Sequence, residues 1–167
     1  GRDGKYRFGL ATSKDGFEFE KAQFNPILLP EYSWEGFRID HCDVVNHNGE
    51  FWMYYVGRLK GLRAYGVLCF ARTKAEDPRV WFKHERPVLL PNPVFGSRFM
   101  NYLCQQIPLS VQLFGSFVER LFPNRLLWES GSIYRSSPLS DGKGNLVAID
   151  GRMYLYYSAF DLWYTPR

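Results

Sequence analysis

The stretch RIDHCDVVNHNGEFWMYYVGR, from Arg38 to Arg58, decides the fold. Its segment Asp43–His47 is rich in residues that favour extended backbone, and its segment Phe51–Val56 is apolar and aromatic. Both compositions are typical of strands. Asn48-Gly49 lies between them, and this dipeptide suits a type I′ turn because both central residues of that turn need a positive φ. The stretch therefore predicts a β-hairpin.

The composition also favours strands and turns over helices. Aromatic residues make up 18% of the 167 residues, and fifteen Gly and ten Pro punctuate short apolar runs. The net charge is +4, with Lys and Arg scattered along the chain, so we expect no nucleic-acid partner. No apolar run reaches the roughly 18 residues of a membrane-spanning helix, so we expect no membrane partner either.

Three cysteines, Cys42, Cys69 and Cys104, form no C-x-x-C pair. Because their number is odd and their spacing is irregular, they indicate neither a disulfide framework nor a zinc site. We therefore expect no metal and no cofactor. Free thiols favour a reducing compartment, and among such compartments we expect the cytoplasm.

Two pairs of segments resemble each other. Gly9–Pro30 is similar to Val67–Pro91, at an offset of about 60 residues, and Asn48–Gly57 is similar to Asp150–Ala159 at a larger offset. Residues 92–127 match nothing else in the chain, so they are interpreted as an insertion. A repeated unit of four short strands with aromatic hairpins is typical of a β-propeller blade.

We therefore predict one all-β domain over residues 1–167, a partial propeller with about two blades of four-stranded antiparallel sheet. One whole unit begins at Asp40, with half a unit on either side. Propellers close with about four to eight blades, so we expect the chain to be a fragment or to self-associate through open sheet edges. In the last unit, either Ser132–Ser136 or Asn145–Ile149 is the inner strand.

The insertion contains one predicted helix, which begins after Pro108 and ends at Pro123. Apolar residues recur at helical spacing on one side of it. They are Leu113, Phe114, Phe117, Val118, Leu121 and Phe122. This amphipathic helix could pack on the sheets, cover a binding site as a lid, or form a dimer contact.

The phrases GLATSKDGFEFEK, VVNHNGEFWMYYVGR and DGRMYLYYSA resemble the blades of the five-bladed β-propeller glycosidases. This superfamily contains arabinanases, invertases and levansucrases, and includes the family 43, 32 and 130 glycoside hydrolases. The resemblance covers nearly the whole chain except the insertion. It implies a family 43-like hydrolase of carbohydrate metabolism that cleaves a glycosidic bond.

In this superfamily, the innermost strand of each blade presents an acidic residue to the central channel. The resemblance therefore implies that Asp40 or Asp43 is the catalytic base and Glu129 the acid, the carboxylate pair that glycoside hydrolysis needs. On a regular strand Asp40 and Asp43 would point to opposite faces, unless a bulge breaks the alternation. We favour Asp40, because it lies where the chain enters the strand. Family members often have Asp-Pro where this chain has His41-Cys42.

The substrate would be a carbohydrate held by residues near these acids. His41, Arg58 and Arg135 are candidates for hydrogen bonds to sugar hydroxyls. Trp34 and Trp128 are candidates for stacking on sugar faces.

Two other functions fit the same sequence. A phosphorylase of the family 130 kind would use phosphate and a single acid, and Arg58, Lys60 and Arg63 could supply positive charge for the phosphate. A carbohydrate-binding or structural propeller would carry out no catalysis at all. Dependence of turnover on phosphate separates the first from a hydrolase, and binding without turnover separates the second.

Overall fold

A computed structural model describes residues 4–36, 38–58, 66–91 and 132–160 of the chain. Within these residues the secondary structure is entirely β, which confirms the predicted all-β class. The predicted helix between Pro108 and Pro123 lies outside the described residues. Nowhere in the described ranges is there a helix with the length and apolar character needed to cross a membrane.

The described residues contain ten strands in antiparallel sheets. The strands are β1 (Ala11–Thr12), β2 (Glu20–Lys21), β3 (Arg38–His47), β4 (Glu50–Arg58), β5 (Gly66–Lys74), β6 (Phe82–Lys83), β7 (Ser132–Pro138), β8 (Ala148–Ile149), β9 (Arg152–Met153) and β10 (Leu155–Phe160). The central sheet has the order β3-β4-β5-β6. Three two-stranded sheets pair β1 with β2, β7 with β10, and β8 with β9.

The predicted hairpin is the centre of this sheet. Asn48 and Gly49 join β3 to β4 with φ values of 51° and 80°, the left-handed conformation that a type I′ turn needs at both positions. Around the turn, His47 pairs with Glu50 and Val45 pairs with Trp52. The hairpin prediction is confirmed because the determining signal is local, lying in the two turn residues and the strands beside them.

One face of the central sheet carries the hydrophobic core. The buried core residues are Leu28, Ile39, Met53, Tyr55, Val67, Cys69 and Ala71. Those on β4 and β5 are two residues apart, so they share a face. Phe8 and Trp34, which precede β3, pack against them. This face is therefore covered by the N-terminal part of the chain.

The opposite face of the central sheet lies against the strand β7. Gly66, at the start of β5, donates its backbone N–H to the Ser132 side chain of β7, at 2.8 Å. Val56 and Leu68 lie on this face, by the alternation along β4 and β5, and both are fully buried. The central sheet is thus covered on both faces, by residues that precede it and residues that follow it.

The sequence repeat corresponds to a repeat in backbone geometry. Phe8 forms an isolated antiparallel bridge with Leu28, and Leu68 forms the same kind of bridge with Leu89. The N–H of Phe8 donates to the carbonyl of Leu28 at 3.1 Å, and that of Leu68 donates to the carbonyl of Leu89 at 2.9 Å. The half unit before β3 therefore has the hydrogen-bond pattern of the second half of the central unit.

The last unit pairs β7 with β10, with Ile133 opposite Ala159. This is the arrangement of β3 and β4, where Ile39 lies opposite Gly57. Of the two candidate segments, the one beginning at Ser132 therefore pairs as β3 does, whereas Ala148–Ile149 pairs with the short strand β9. The turn at residues 150–151 also forms, with φ values of 51° and 72°, but it joins the short strands β8 and β9 instead of two long ones.

Candidate functional site

A β-bulge interrupts β3 at the predicted site. His41 and Cys42 together lie opposite a single residue of β4, Tyr55. His41 has a φ of 48°, a left-handed conformation that is uncommon for a residue other than glycine. Such a residue costs about 1 kcal/mol or more and persists where the surrounding structure enforces it. The bulge therefore marks a strained position at the predicted site.

The bulge determines where the two candidate aspartates point. Asp40 pairs with Val56 and Asp43 pairs with Tyr54. Residues opposite each other in an antiparallel pair share a face, and Tyr54 and Val56 are two residues apart on one strand. Asp40 and Asp43 therefore lie on the same face, the one toward β7. On a regular strand, residues three positions apart would point to opposite faces. The bulge at His41 is therefore what places Asp40 and Asp43 on the same face.

Asp40 lies between two arginine side chains. Its Oδ2 is 2.6 Å from Arg38 Nε, and its Oδ1 is 3.3 Å from Arg58 Nε. The side chains of Asp40 and Arg58 are 12% and 7% exposed, whereas that of Arg38 is 38% exposed. Ion pairs gain strength when they are shielded from water. The Asp40–Arg58 pair is thus the inner part of the cluster, and Arg38 is its solvent-facing part.

Strand β7 contributes an aromatic side chain to this cluster. The ring of Tyr134 lies 4.4 Å from the ring of His41, measured between centroids. The guanidinium carbon of Arg58 lies 5.5 Å from the centroid of the same ring, within the range of a cation–π contact. The site is therefore built from two sheets, with Asp40, His41 and Arg58 on one and Tyr134 on the other.

The predicted site residues divide into three groups. The structure brings Asp40, His41 and Arg58 together, and Asp43 lies on the same face of β3 as Asp40. Trp34 packs against the core on the other face of the sheet and stacks on Tyr32 at 4.5 Å. Arg135 is exposed on β7.

The remaining two predicted site residues, Trp128 and Glu129, lie outside the described residues. The distance between Asp40 and Glu129, the predicted catalytic acid, is therefore not described.

Sequence reasoning missed three residues of this cluster, namely Arg38, Ser132 and Tyr134. Arg38 could have been found, because it precedes Asp40 by two residues and strand alternation places both on one face. Ser132 and Tyr134 gave no signal. They belong to a strand far along the chain, and only the packing of β7 on the central sheet brings them to Arg58.

A second carboxylate that sequence reasoning missed, Glu35, is fully buried. It accepts hydrogen bonds from the Tyr55 hydroxyl at 2.6 Å, from Lys83 Nζ at 2.9 Å, and from the backbone N–H groups of Glu31 and Tyr32 at 2.6 and 2.9 Å. Burial, with the Glu35 carboxylate beside the hydroxyl, raises the pKa of Tyr55 well above its ordinary value. Every donor around Glu35 comes from the protein, so this group is a structural anchor.

The described surface has depressions away from the cluster at Asp40. One of about 500 Å³ is lined by Phe70, Arg72 and the segment from Phe82 to Arg86. Asp40, His41 and Arg58 are not among its lining residues. Within the described ranges, no three His, Cys, Asp or Glu side chains group together in a way that could hold a metal ion.

The cluster can supply a carboxylate, two guanidinium groups, an imidazole and a phenol to a bound molecule.

Comparison of the chain with protein-family models, with curated proteins and with solved structures gave no match.

Proposed function

We propose that this chain forms part of a β-propeller that cleaves glycosidic bonds, with Asp40 as the carboxylate that activates water. The observation that carries the proposal is the placement of Asp40 at the bulge of β3, paired with Arg38 and Arg58 and adjacent to the His41–Tyr134 contact. The family resemblance of the sequence supports the same assignment.

The architecture supports the propeller part of the proposal. Blades of a propeller are four-stranded antiparallel sheets that pack face to face around an axis. The central sheet has four antiparallel strands and is covered on both faces. The contacts between successive units also lie at equivalent positions, because Tyr6 forms a parallel bridge with Arg38, and Gly66, 60 positions after Tyr6, donates to the side chain of Ser132.

The charge at Asp40 supports its role in the chemistry. In glycoside hydrolysis the base or nucleophile acts as a carboxylate, whereas the partner acid must carry a proton. In the proposed reaction, water attacks the anomeric carbon and gives a proton to the Asp40 carboxylate. The bond from that carbon to the leaving oxygen breaks, and the leaving oxygen takes a proton from the acid, for which Glu129 is the candidate.

The proposal is tested by measuring the release of the aglycone from aryl arabinosides, xylosides and fructosides, with and without inorganic phosphate. We expect turnover of at least one of them at the same rate in both conditions, because water is the nucleophile. Turnover that requires phosphate would indicate the phosphorylase alternative, in which the positive charge of Arg58, with that of Lys60 and Arg63 outside the described residues, serves the phosphate. Sugar binding without turnover in either condition would indicate a non-catalytic propeller.

The same architecture suggests self-association. β1 and β2 form a sheet of only two strands, and Phe17 and Phe19 between them are 89% and 61% exposed. Unpaired sheet edges and exposed apolar side chains both favour association. We expect light scattering at increasing concentration to give a rising mean mass. A constant mass equal to that of one 19.6 kDa chain would contradict this expectation.

A further inference from the structure

Ser132 joins three strands through one hydroxyl group. Its Oγ accepts hydrogen bonds from Arg58 Nη1 at 2.9 Å and from the backbone N–H of Gly66 at 2.8 Å, and it donates to the carbonyl of Ile133 at 3.0 Å. A serine hydroxyl can accept two hydrogen bonds and donate one. The group is therefore fully used. Ser132 is also fully buried, so water does not compete for these bonds.

Gly66 shows how closely β5 approaches this hydroxyl. A Cβ atom at position 66 would lie 2.4 Å from the carbonyl oxygen of Ile133, 2.7 Å from Ser132 Oγ and 2.9 Å from Arg58 Nη1. None of these distances leaves room for a side chain. Glycine at this position is therefore what allows the Ser132 hydroxyl to lie between β5 and Arg58.

The bond to Ser132 restrains the guanidinium of Arg58 at one end, while its Nε atom contacts Asp40 at the other. A guanidinium is planar, so restraining Nη1 also restrains the direction of Nε. We propose that Ser132 is a positioning residue, which holds Arg58 in the plane that orients the Asp40 carboxylate. This inference rests on the proposed function of Asp40. The described hydrogen bonds of the Ser132 hydroxyl go to Arg58, Gly66 and Ile133 and not to Asp40, so Ser132 acts through Arg58.

The consequence is that the site is complete only when β7 is docked on the central sheet. Asp40 and Arg58 both belong to the central sheet, yet the hydroxyl that orients Arg58 belongs to Ser132 on β7, in the neighbouring sheet. The two sheets therefore assemble one site, and the docking of β7 is coupled to the geometry of Asp40 through the buried Ser132 hydroxyl, in addition to the contact of Tyr134 with Arg58.

The test compares Ser132→Ala with Ser136→Ala. Ser136 is a matched control, because it lies on the same strand and is buried, but its hydroxyl has no hydrogen-bond partner in the described part of the chain. The first measurement is the Nε–H resonance of Arg58 by NMR with ¹⁵N-labelled arginine, assigned with Arg58→Lys. We expect Ser132→Ala to shift and broaden this resonance and Ser136→Ala to leave it unchanged. Equal spectra of the two variants would overturn the positioning role.

The second measurement is the turnover of an aryl glycoside that the parent protein hydrolyses. We expect Ser132→Ala to lower kcat about tenfold, the effect of losing one hydrogen bond to a charged group, and Ser136→Ala to preserve it. Ser132→Thr retains the hydroxyl and should restore both the resonance and kcat. If Ser132→Ala fails to fold, Ser132→Thr decides the matter, since a folded Thr variant whose Arg58 resonance differs from the parent would overturn the proposal. If the parent has no turnover, the proposed function fails, while the NMR comparison still decides the role of Ser132.

Discussion

Replacing Asp40 with Asn is expected to lower kcat for glycoside hydrolysis by about 10²-fold or more, the usual effect of removing a general acid or base. The amide is close to the carboxylate in size but cannot accept a proton from water. It also removes the negative charge that pairs with Arg38 and Arg58. The measurement is steady-state kinetics on the aryl glycoside that the parent turns over, together with a melting temperature for each variant.

Asp43→Asn is the matched control for this experiment. Asp43 lies on the same strand and the same face as Asp40, and the substitution is chemically identical. We expect Asp43→Asn to change kcat by less than about threefold. The ion pairs of Asp40 with Arg38 and Arg58 remain in this variant, and substitutions away from such contacts usually have small effects. Full activity of Asp40→Asn combined with loss of activity in Asp43→Asn would reverse the assignment within the pair. Unchanged activity in both variants would show that neither Asp40 nor Asp43 takes part in catalysis.

Glu129→Gln belongs in the same series and needs two readouts. In the sequence, Trp128-Glu129 precedes Ile133 at the same spacing at which Trp34-Glu35 precedes Ile39. Loss of turnover at an unchanged melting temperature would fit the predicted acid. A lower melting temperature with turnover preserved would instead fit an anchoring role like that of Glu35.

Replacing Glu35 with Gln is expected to lower the free energy of unfolding by about 3 kcal/mol or more, as removing one partner of a buried ion pair usually does. The carboxylate accepts hydrogen bonds from four donors, and the carboxamide would place its own N–H donors against some of them. Lys83, whose side chain is 5% exposed, would lose its buried counterion. For a chain of this size, we expect the melting temperature to fall by about 6–12 °C.

Glu31→Gln is the control for this second prediction. Glu31 also pairs with Lys83, at 3.2 Å, but its side chain is 63% exposed. Ion pairs that face solvent contribute about 0–1 kcal/mol. We therefore expect a small change in the free energy of unfolding from urea denaturation. If Glu31→Gln and Glu35→Gln destabilise the protein equally, burial of Glu35 is not the source of its effect.

The sequence by itself determined the all-β class and the hairpin at Asn48-Gly49. These features depend on short-range signals. A turn needs two residues that tolerate positive φ, and a strand needs extended, β-branched or aromatic residues within a few positions. The repeat also could be predicted, because Gly9–Pro30 and Val67–Pro91 have similar residues and form the same bridges to Leu28 and Leu89.

Only the tertiary structure decided how the site is assembled. The register of β3 against β4 creates the bulge at His41 and places Asp40 and Asp43 on one face, and no short pattern in β3 specifies that register. The bond from Arg58 to Ser132 joins residues 74 positions apart, and Glu35 is 48 positions from Lys83. Contacts of this kind depend on which sheets pack together, so packing places the Arg58–Ser132 and Glu35–Lys83 pairs where local sequence preferences cannot.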